Sequence, residues 1–278
     1  MKKKRNKVLV IGGSGFLGST VADELTNRNY IVTIYDKSKS KWLQNSQKQI
    51  LGKLSNIHKI NKAIKNNDIV YNFAGVGDLD EGSKKPLDTI NENILNNAKI
   101  LEACIKYKIK RFVYSSTIYV YSDKGSFYRC SKQAAENYIK EYSNKSNLKY
   151  TILRFGSLYG PRSRKNNGVY KIIDEYFKTK KITYYGSKKT IREYIHINDA
   201  AKSCVDILNK RFENKFVTLV GKKRIYVKKI LLLISDILNV NKKPIFKNKK
   251  NPYHYENDPF TFKKDFGEKY FPKNETSL

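Results

Sequence analysis

The sequence predicts an α/β fold, a doubly wound parallel sheet with helices on both faces and a smaller C-terminal lobe. Three observations predict it. Short apolar runs alternate with amphipathic stretches through the first half of the 278 residues. A glycine-rich turn follows the first apolar run directly. After Arg154 the alternation stops, and glycine and proline punctuate a loop-rich region.

Taken in order, the apolar runs Val8–Ile11, Ile31–Tyr35, Ile69–Phe73, Phe112–Ser115 and Tyr150–Leu153 read as strands. They carry almost no polar alternation, as expected of strands buried on both faces. Helical stretches lie between them near 15–28, 57–66, 86–107 and 128–146. Within the third, Ile94, Ala98, Leu101 and Ile105 recur at helical spacing and mark one buried stripe. Beyond Arg154, Gly156, Gly160, Pro161 and Gly168 break the chain. A strand is expected at Ile191–Ile197, then a helix over Ala200–Leu208 capped by Asp199. Ile230–Leu238 reads as a further helix, and the tail from Pro244 as loop. The expected division is a nucleotide-binding domain over 1–155, with 191–210 returning to it, and a substrate-binding lobe from 156–190 and 211–278.

Composition is that of a globular protein, with 40% hydrophobic and 13% aromatic residues. The balance of 56 Lys plus Arg against 25 Asp plus Glu gives a net charge of +31. Such a field attracts polyanions, nucleic acid included. The cations are spread along the chain, however, which reads as lysine on solvated faces. Cys104, Cys130 and Cys204 have no metal spacing, and their odd number suits a reducing compartment. No run approaches the ~18 apolar residues of a membrane span. A cytoplasmic location is expected.

Gly13-Ser14-Gly15-Phe16-Leu17-Gly18 opens the first helix directly after the first strand. A tight turn, close backbone approach to a pyrophosphate and close helix–strand contact each require glycine there. The helix N-terminus then offers free N–H groups and a positive dipole end to phosphate. Asp36 ends the second strand, 18 residues after Gly18. Its carboxylate suits the adenosine ribose hydroxyls and repels a 2′-phosphate, which favours NAD over NADP; Lys37 and Lys39 soften that repulsion. The domain is therefore expected to be Rossmann-type.

Tyr128-Arg129-Cys130-Ser131-Lys132 begins a predicted helix, so that Tyr128 and Lys132 share a face. A tyrosine ionises near pH ~10. A nearby ammonium, together with an oxidised nicotinamide, favours the phenolate and creates a general base. Ser115-Ser116-Thr117 ends the preceding strand and places a hydroxyl beside it.

These pieces resemble the extended short-chain dehydrogenase/reductases of the NAD-dependent epimerase/dehydratase family, UDP-glucose 4-epimerase among them. The likeness runs over residues 7–210. It rests on Gly12-x-x-Gly15-x-x-Gly18, Asp36, Asp68 to Gly75, Asn93, Ser115-Ser116-Thr117, Tyr128-x-x-x-Lys132, Arg154 to Pro161 and Arg192 to Asp199. The resemblance implies that Thr117, Tyr128 and Lys132 are catalytic. It implies that NAD contacts Gly12, Gly15, Phe16, Leu17, Gly18, Asp36, Leu54, Phe73, Ala74, Gly75, Asn93, Ser115, Tyr128 and Lys132. Thr117, Tyr128 and Arg192 would meet a nucleoside-diphosphate sugar, and two helices near 93–107 and 128–146 would form a homodimer.

Three departures stand out. Lys53 occupies the place of an aspartate that contacts adenine in relatives, and Ser122 replaces a glycine. Only 11 positions separate Thr117 from Tyr128, fewer than usual, so the pocket is expected to be more open or filled from elsewhere. Ile118 and Tyr119 stand where dehydratases and decarboxylases carry acids, and Thr117 stands where fucose synthase-like enzymes carry cysteine. What remains is C4 epimerisation, with keto-sugar reduction or a non-catalytic RNA-binding role as alternatives.

Overall fold

The computed structural model describes residues 5–247, 254–256, 258–260 and 268–270. The chain opens with β1 (Lys7–Ile11), α1 (Phe16–Asn27), β2 (Ile31–Asp36), β3 (Lys48–Leu51), α2 (Ile57–Lys65) and β4 (Ile69–Asn72). Short helices α3 (Leu79–Lys84) and α4 (Pro86–Ile90) lead through a π-helical turn, Asn91–Leu95, into α5 (Asn96–Lys106). Next come β5 (Arg111–Thr117), a 3₁₀ turn (Ile118–Tyr121), α6 (Ser126–Asn144) and β6 (Tyr150–Phe155). The remainder holds β7 (Ser157–Tyr159), α7 (Gly168–Thr179), β8 (Thr183–Tyr185), β9 (Ile191–Arg192), β10 (Tyr194–His196) and α8 (Ile197–Asp206). It ends with β11 (Lys215–Leu219), β12 (Ile225–Tyr226), α9 (Val227–Ile237), β13 (Ile245–Lys247) and β14 (Glu268–Tyr270).

Eight strands form one sheet in the order β14-β11-β6-β5-β4-β1-β2-β3, with every pairing parallel. The strand alternation divides the core between the two faces. Val8 and Val10 of β1 point to the face covered by Val21 and Leu25 of α1 and Ala200 and Cys204 of α8. Leu9 and Ile11 point the other way, onto Ile60 of α2, Leu101 of α5 and Ile139 of α6. The order reverses between β1 and β4, and a doubly wound sheet binds its ligand in the crevice at that switch. A separate small core joins Ile172 of α7 to Ile230, Leu231 and Ile234 of α9.

Several expectations change. β11 and β14, which lie within the 211–278 assigned with 156–190 to the lobe, extend the main sheet instead. Val217 and Leu219 are fully buried there, and β11 pairs in register with β6. The strand expected at Ile191–Ile197 is two strands: β9 pairs with β12, and β10 with β7. Between them Glu193 turns inward to Arg224, at 2.8 Å. The helix expected at Ala200 starts at Ile197, and its cap is His196, whose Nδ1 accepts from the Asn198 N–H. Of the tail expected as loop from Pro244, β13 is a strand against β8, and much of the remainder lies outside the described residues. Among the described residues no helix is long and apolar enough to cross a membrane.

Candidate active site

The turn after β1 is made of backbone. The N–H of Gly12, at φ +81°, donates to the Tyr35 carbonyl, and the Gly15 N–H donates to the Gly12 carbonyl. A side chain at Gly12 would place its Cβ 2.7 Å from the Ala74 nitrogen, and one at Gly18 would collide with the Gly12 carbonyl oxygen. Gly15 is the N-cap of α1, with no side-chain cap and no acid in the first turn. The free N–H groups and the dipole therefore face the crevice unopposed.

Asp36 ends β2 at the rim of this turn. One carboxylate oxygen accepts from the Ser14 N–H at 3.0 Å and the other from Ser38 at 2.9 Å. These bonds fix the carboxylate and leave lone pairs for further donors. A cavity of about 680 Å³ runs past Gly12, Gly15, Asp36, Lys53, Leu54 and Gly75. Its glycine walls, open helix end and carboxylate fit a dinucleotide: phosphates at α1, ribose hydroxyls at Asp36. Lys53 lines it as the sequence places it, a cation beside Lys37.

Phe73, Ala74 and Gly75 follow β4 and separate this cavity from a second one of about 640 Å³. Asn93, expected at the cofactor, lines neither. It is 1% exposed; its oxygen accepts from the Val76 N–H, and its amide donates to the Val76 carbonyl and Ser131. Asn93 thus pins the Gly75–Gly77 loop, from a π-helical turn of the kind found at functional sites.

Ser115, Thr117, Tyr128 and Lys132 meet on the wall of the second cavity. β5 delivers the first two and the opening turns of α6 the others. The Thr117 hydroxyl close by favours the Tyr128 phenolate, yet burial prevails and pushes Tyr128 up to about 12. Lys132 shares the α6 face with Tyr128 and makes no hydrogen bond to its hydroxyl. Its ammonium donates to the Ser115 carbonyl at 2.8 Å and the Tyr114 hydroxyl at 3.3 Å, and lies 5.9 Å from the Tyr128 ring centre. Burial lowers Lys132 to about 8.

The short link from Thr117 to Tyr128 closes through the 3₁₀ turn and Gly125, at φ +100°. A Cβ on Gly125 would lie 2.9 Å from Arg129 and 3.0 Å from Tyr119. Ser122 has φ −111° and ψ 156°, an extended conformation that needs no glycine. The space is filled from the C-terminal segment. His254 and Tyr255 line the cavity, with His254 Nδ1 2.7 Å from the Tyr119 hydroxyl. Burial holds His254 down at about 4.

Arg192 lines the same cavity. It pairs with neither Glu193 nor Asp199; it donates to the Tyr255 carbonyl at 2.7 Å and lies 4.6 Å over that ring. Beneath the site, Glu136 and Arg154 form a buried bridge at 2.6 Å, and Ser116 donates to Glu136 at 2.6 Å. This network ties α6 to β5 and β6 and fixes where Tyr128 and Lys132 stand. Its signal was present in the sequence, since Glu136 falls four residues beyond Lys132 on the buried face. No local signal marks His254, Tyr255 or Arg164, which reach the site from distant segments. Among the described residues no cluster could hold a metal.

Comparison with known proteins agrees with this geometry. An uncharacterized UDP-glucose epimerase of Bacillus subtilis (strain 168) is 27% identical over 258 residues, covering 83% of this chain and 82% of the relative. A dTDP-D-glucose 4,6-dehydratase of Dictyostelium discoideum is 28% identical over 252 residues, covering 77% of this chain and 58% of its own. The crystal structure of UDP-glucose 4-epimerase from Thermotoga maritima, solved with UDP-glucose, matches the fold with a TM-score of 0.83 at 22% identity, covering 91% of this chain and 89% of that one. Residues 8–220 match the profile of one family, and the chain belongs to it: the NAD dependent epimerase/dehydratase family.

Proposed function

We propose that this chain is an NAD-dependent epimerase that inverts C4 of a nucleoside-diphosphate hexose. The observation that carries the reading is the position of Thr117, Tyr128 and Lys132. They stand on the wall of one cavity, which shares Phe73 to Gly75 with the cavity lined by the glycine turn and Asp36.

When bound, NAD supplies an acceptor that takes a hydride from the sugar carbon and gives it back. Tyr128 removes the proton of the 4-hydroxyl, and Thr117 shares that hydrogen bond and holds the oxygen in place. Burial, with a smaller push from Asp78 and only a partial pull from Thr117, holds Tyr128 at about 12, so its ionisation needs positive charge brought in with the cofactor. Lys132 donates to the Ser115 carbonyl on the wall of the second cavity, where its ammonium can hold a ribose hydroxyl of the cofactor's nicotinamide end. Arg192, with its guanidinium stacked on Tyr255, offers a fork suited to the sugar's diphosphate. Return of the hydride to the opposite face requires the sugar to turn, and about 640 Å³ leaves room for that. Elimination of water is disfavoured: Ile118 is buried, and burial raises Tyr119 far above its ordinary value.

A homodimer and a cytoplasmic setting belong to the same reading. Leu87, Ile90, Leu95, Phe127 and Tyr138 stand exposed around α4–α6, and Cys104, Cys130 and Cys204 are free thiols. Tyr128→Phe tests the chemistry. Conversion should fall ~10²–10⁴-fold while NAD binding survives. Undiminished conversion would remove Tyr128 as the base.

A further inference from the structure

The segment from Pro161 to Asn167 joins β7 to α7 and walls both cavities through Arg164 and Asn166. It is held like a strap. Arg162, in the left-handed region at φ +68°, donates to Asp23 of α1 at 2.7 Å, and its guanidinium lies 5.3 Å from the Trp42 ring. Asn166 donates to Asp78 at 3.1 Å, and Asn167 to the Leu158 carbonyl at 2.7 Å.

Between these anchors Arg164 is brought over the glycine turn. Its Nη2 is 3.5 Å from the point where a Cβ on Gly15 would lie. Arg164 is exposed; its carbonyl accepts from the Asn167 N–H, and its guanidinium has no hydrogen-bond or ion-pair partner among the described residues. It lies against the positive end of α1, a twelve-residue helix with no acid in its first turn. A guanidinium against a positive helix end is an unfavourable pairing on its own, and it becomes favourable when an anion lies between the two.

We propose that Arg164 is a diphosphate ligand: it closes over the cofactor's pyrophosphate from the side opposite α1 and completes the anion cradle begun by the backbone of Gly15 to Leu17. Its planar fork suits two phosphate oxygens at once. The strap thereby links both cavities, and the dinucleotide leaves only when the strap lifts. This inference rests on the proposed placement of the dinucleotide along Gly12, Gly15 and Asp36.

The test is calorimetric titration of the cofactor-free protein with NAD and, separately, with ADP-ribose, which keeps the diphosphate and lacks nicotinamide. Arg164→Ala should weaken both by the same factor, about tenfold or more. Arg164→Lys should recover part of the loss, and Lys165→Ala, an equal change of charge at the next residue, should lose less than twofold. The melting temperature of cofactor-free Arg164→Ala should match wild type, since the guanidinium has no partner to lose among the described residues and the main-chain bond to Asn167 is kept. Trp42, the only tryptophan, stands beside the strap and reports its closure by fluorescence. NAD affinity of Arg164→Ala within twofold of wild type would overturn the inference. So would unchanged NAD affinity with a raised KM for the sugar nucleotide, which assigns Arg164 to the substrate instead. Failure of the wild-type protein to bind NAD would instead overturn the proposed function.

Discussion

The two cavities that share the Phe73–Gly75 wall are built by different means. The dinucleotide side is made of main chain: glycines with no room for a Cβ, an uncapped helix end, and a carboxylate held by two backbone N–H groups. The other side is made of side chains from β5, α6, β9 and the 254–256 segment, joined by hydrogen bonds such as Tyr119–His254. Backbone recognition is fixed by local sequence and is broken by adding atoms. Side-chain recognition is assembled from distant segments and is retuned by exchanging groups. The first therefore sets that a dinucleotide binds, and the second sets what is done to its partner.

The sharpest way to break the comparison is Gly18→Ala. Its methyl would meet the Gly12 carbonyl, which is backbone and cannot swing aside. A loss of about 1–3 kcal/mol in stability is expected, with NAD binding removed. Thermal melts and NAD titration check both; normal NAD affinity would show that the turn can relax.

Lys132 sharpens the contrast because a side-chain site carries its function at the expense of stability. Burial lowers its folded value from 10.5 to about 8. Below that pH the folded and unfolded states are both protonated, and the folded state bears the full penalty of a buried ammonium. Between about 8 and 10.5 the unfolded state binds more protons, so stability attributable to this group rises with pH. Lys132→Met should therefore raise the melting temperature of the cofactor-free protein at pH ~7 and lower turnover. The stability difference from wild type should shrink as the pH climbs from 8 towards 10.5. A difference independent of pH would mean that the ammonium is not what strains the fold.

The smallest effect is expected at Lys53, a side chain at the edge of the backbone-made cavity. Lys53→Asp should tighten NAD by a few-fold by supplying an acceptor for the adenine amino group, with stability unchanged. Calorimetry checks it, and weaker binding would show that Lys53 already serves the cofactor.

The same division explains what could be read from the chain. β1, β2, β4, β5 and β6 and the helical stretches that became α1, α2, α4–α5 and α6 were legible because continuous apolar runs and helical spacing are local signals, whereas the short α3 was not. β3 was missed: its Lys48-Gln49-Ile50-Leu51 run is polar at one end and only half buried at the sheet edge. β11 was assigned to the lobe because its parallel pairing with β6 is a long-range fact that no neighbouring residue records. Asp199 was taken for a cap on residue type, whereas the turn made by His196 decides where α8 starts. In the site, Thr117, Tyr128 and Lys132 were legible by spacing. The direction of the Lys132 ammonium depends on Tyr114 and Ser115, 18 and 17 residues away on β5, and was not. His254 and Arg164 enter from segments whose own sequence carries no sign of the cavity.

The most direct test of the account is to incubate the protein and NAD with UDP-, GDP- and dTDP-hexoses and analyse the products by NMR and mass spectrometry. A product of unchanged mass with inverted C4 is predicted. A product that has lost water, or no conversion of any sugar alongside salt-sensitive RNA binding, would contradict it.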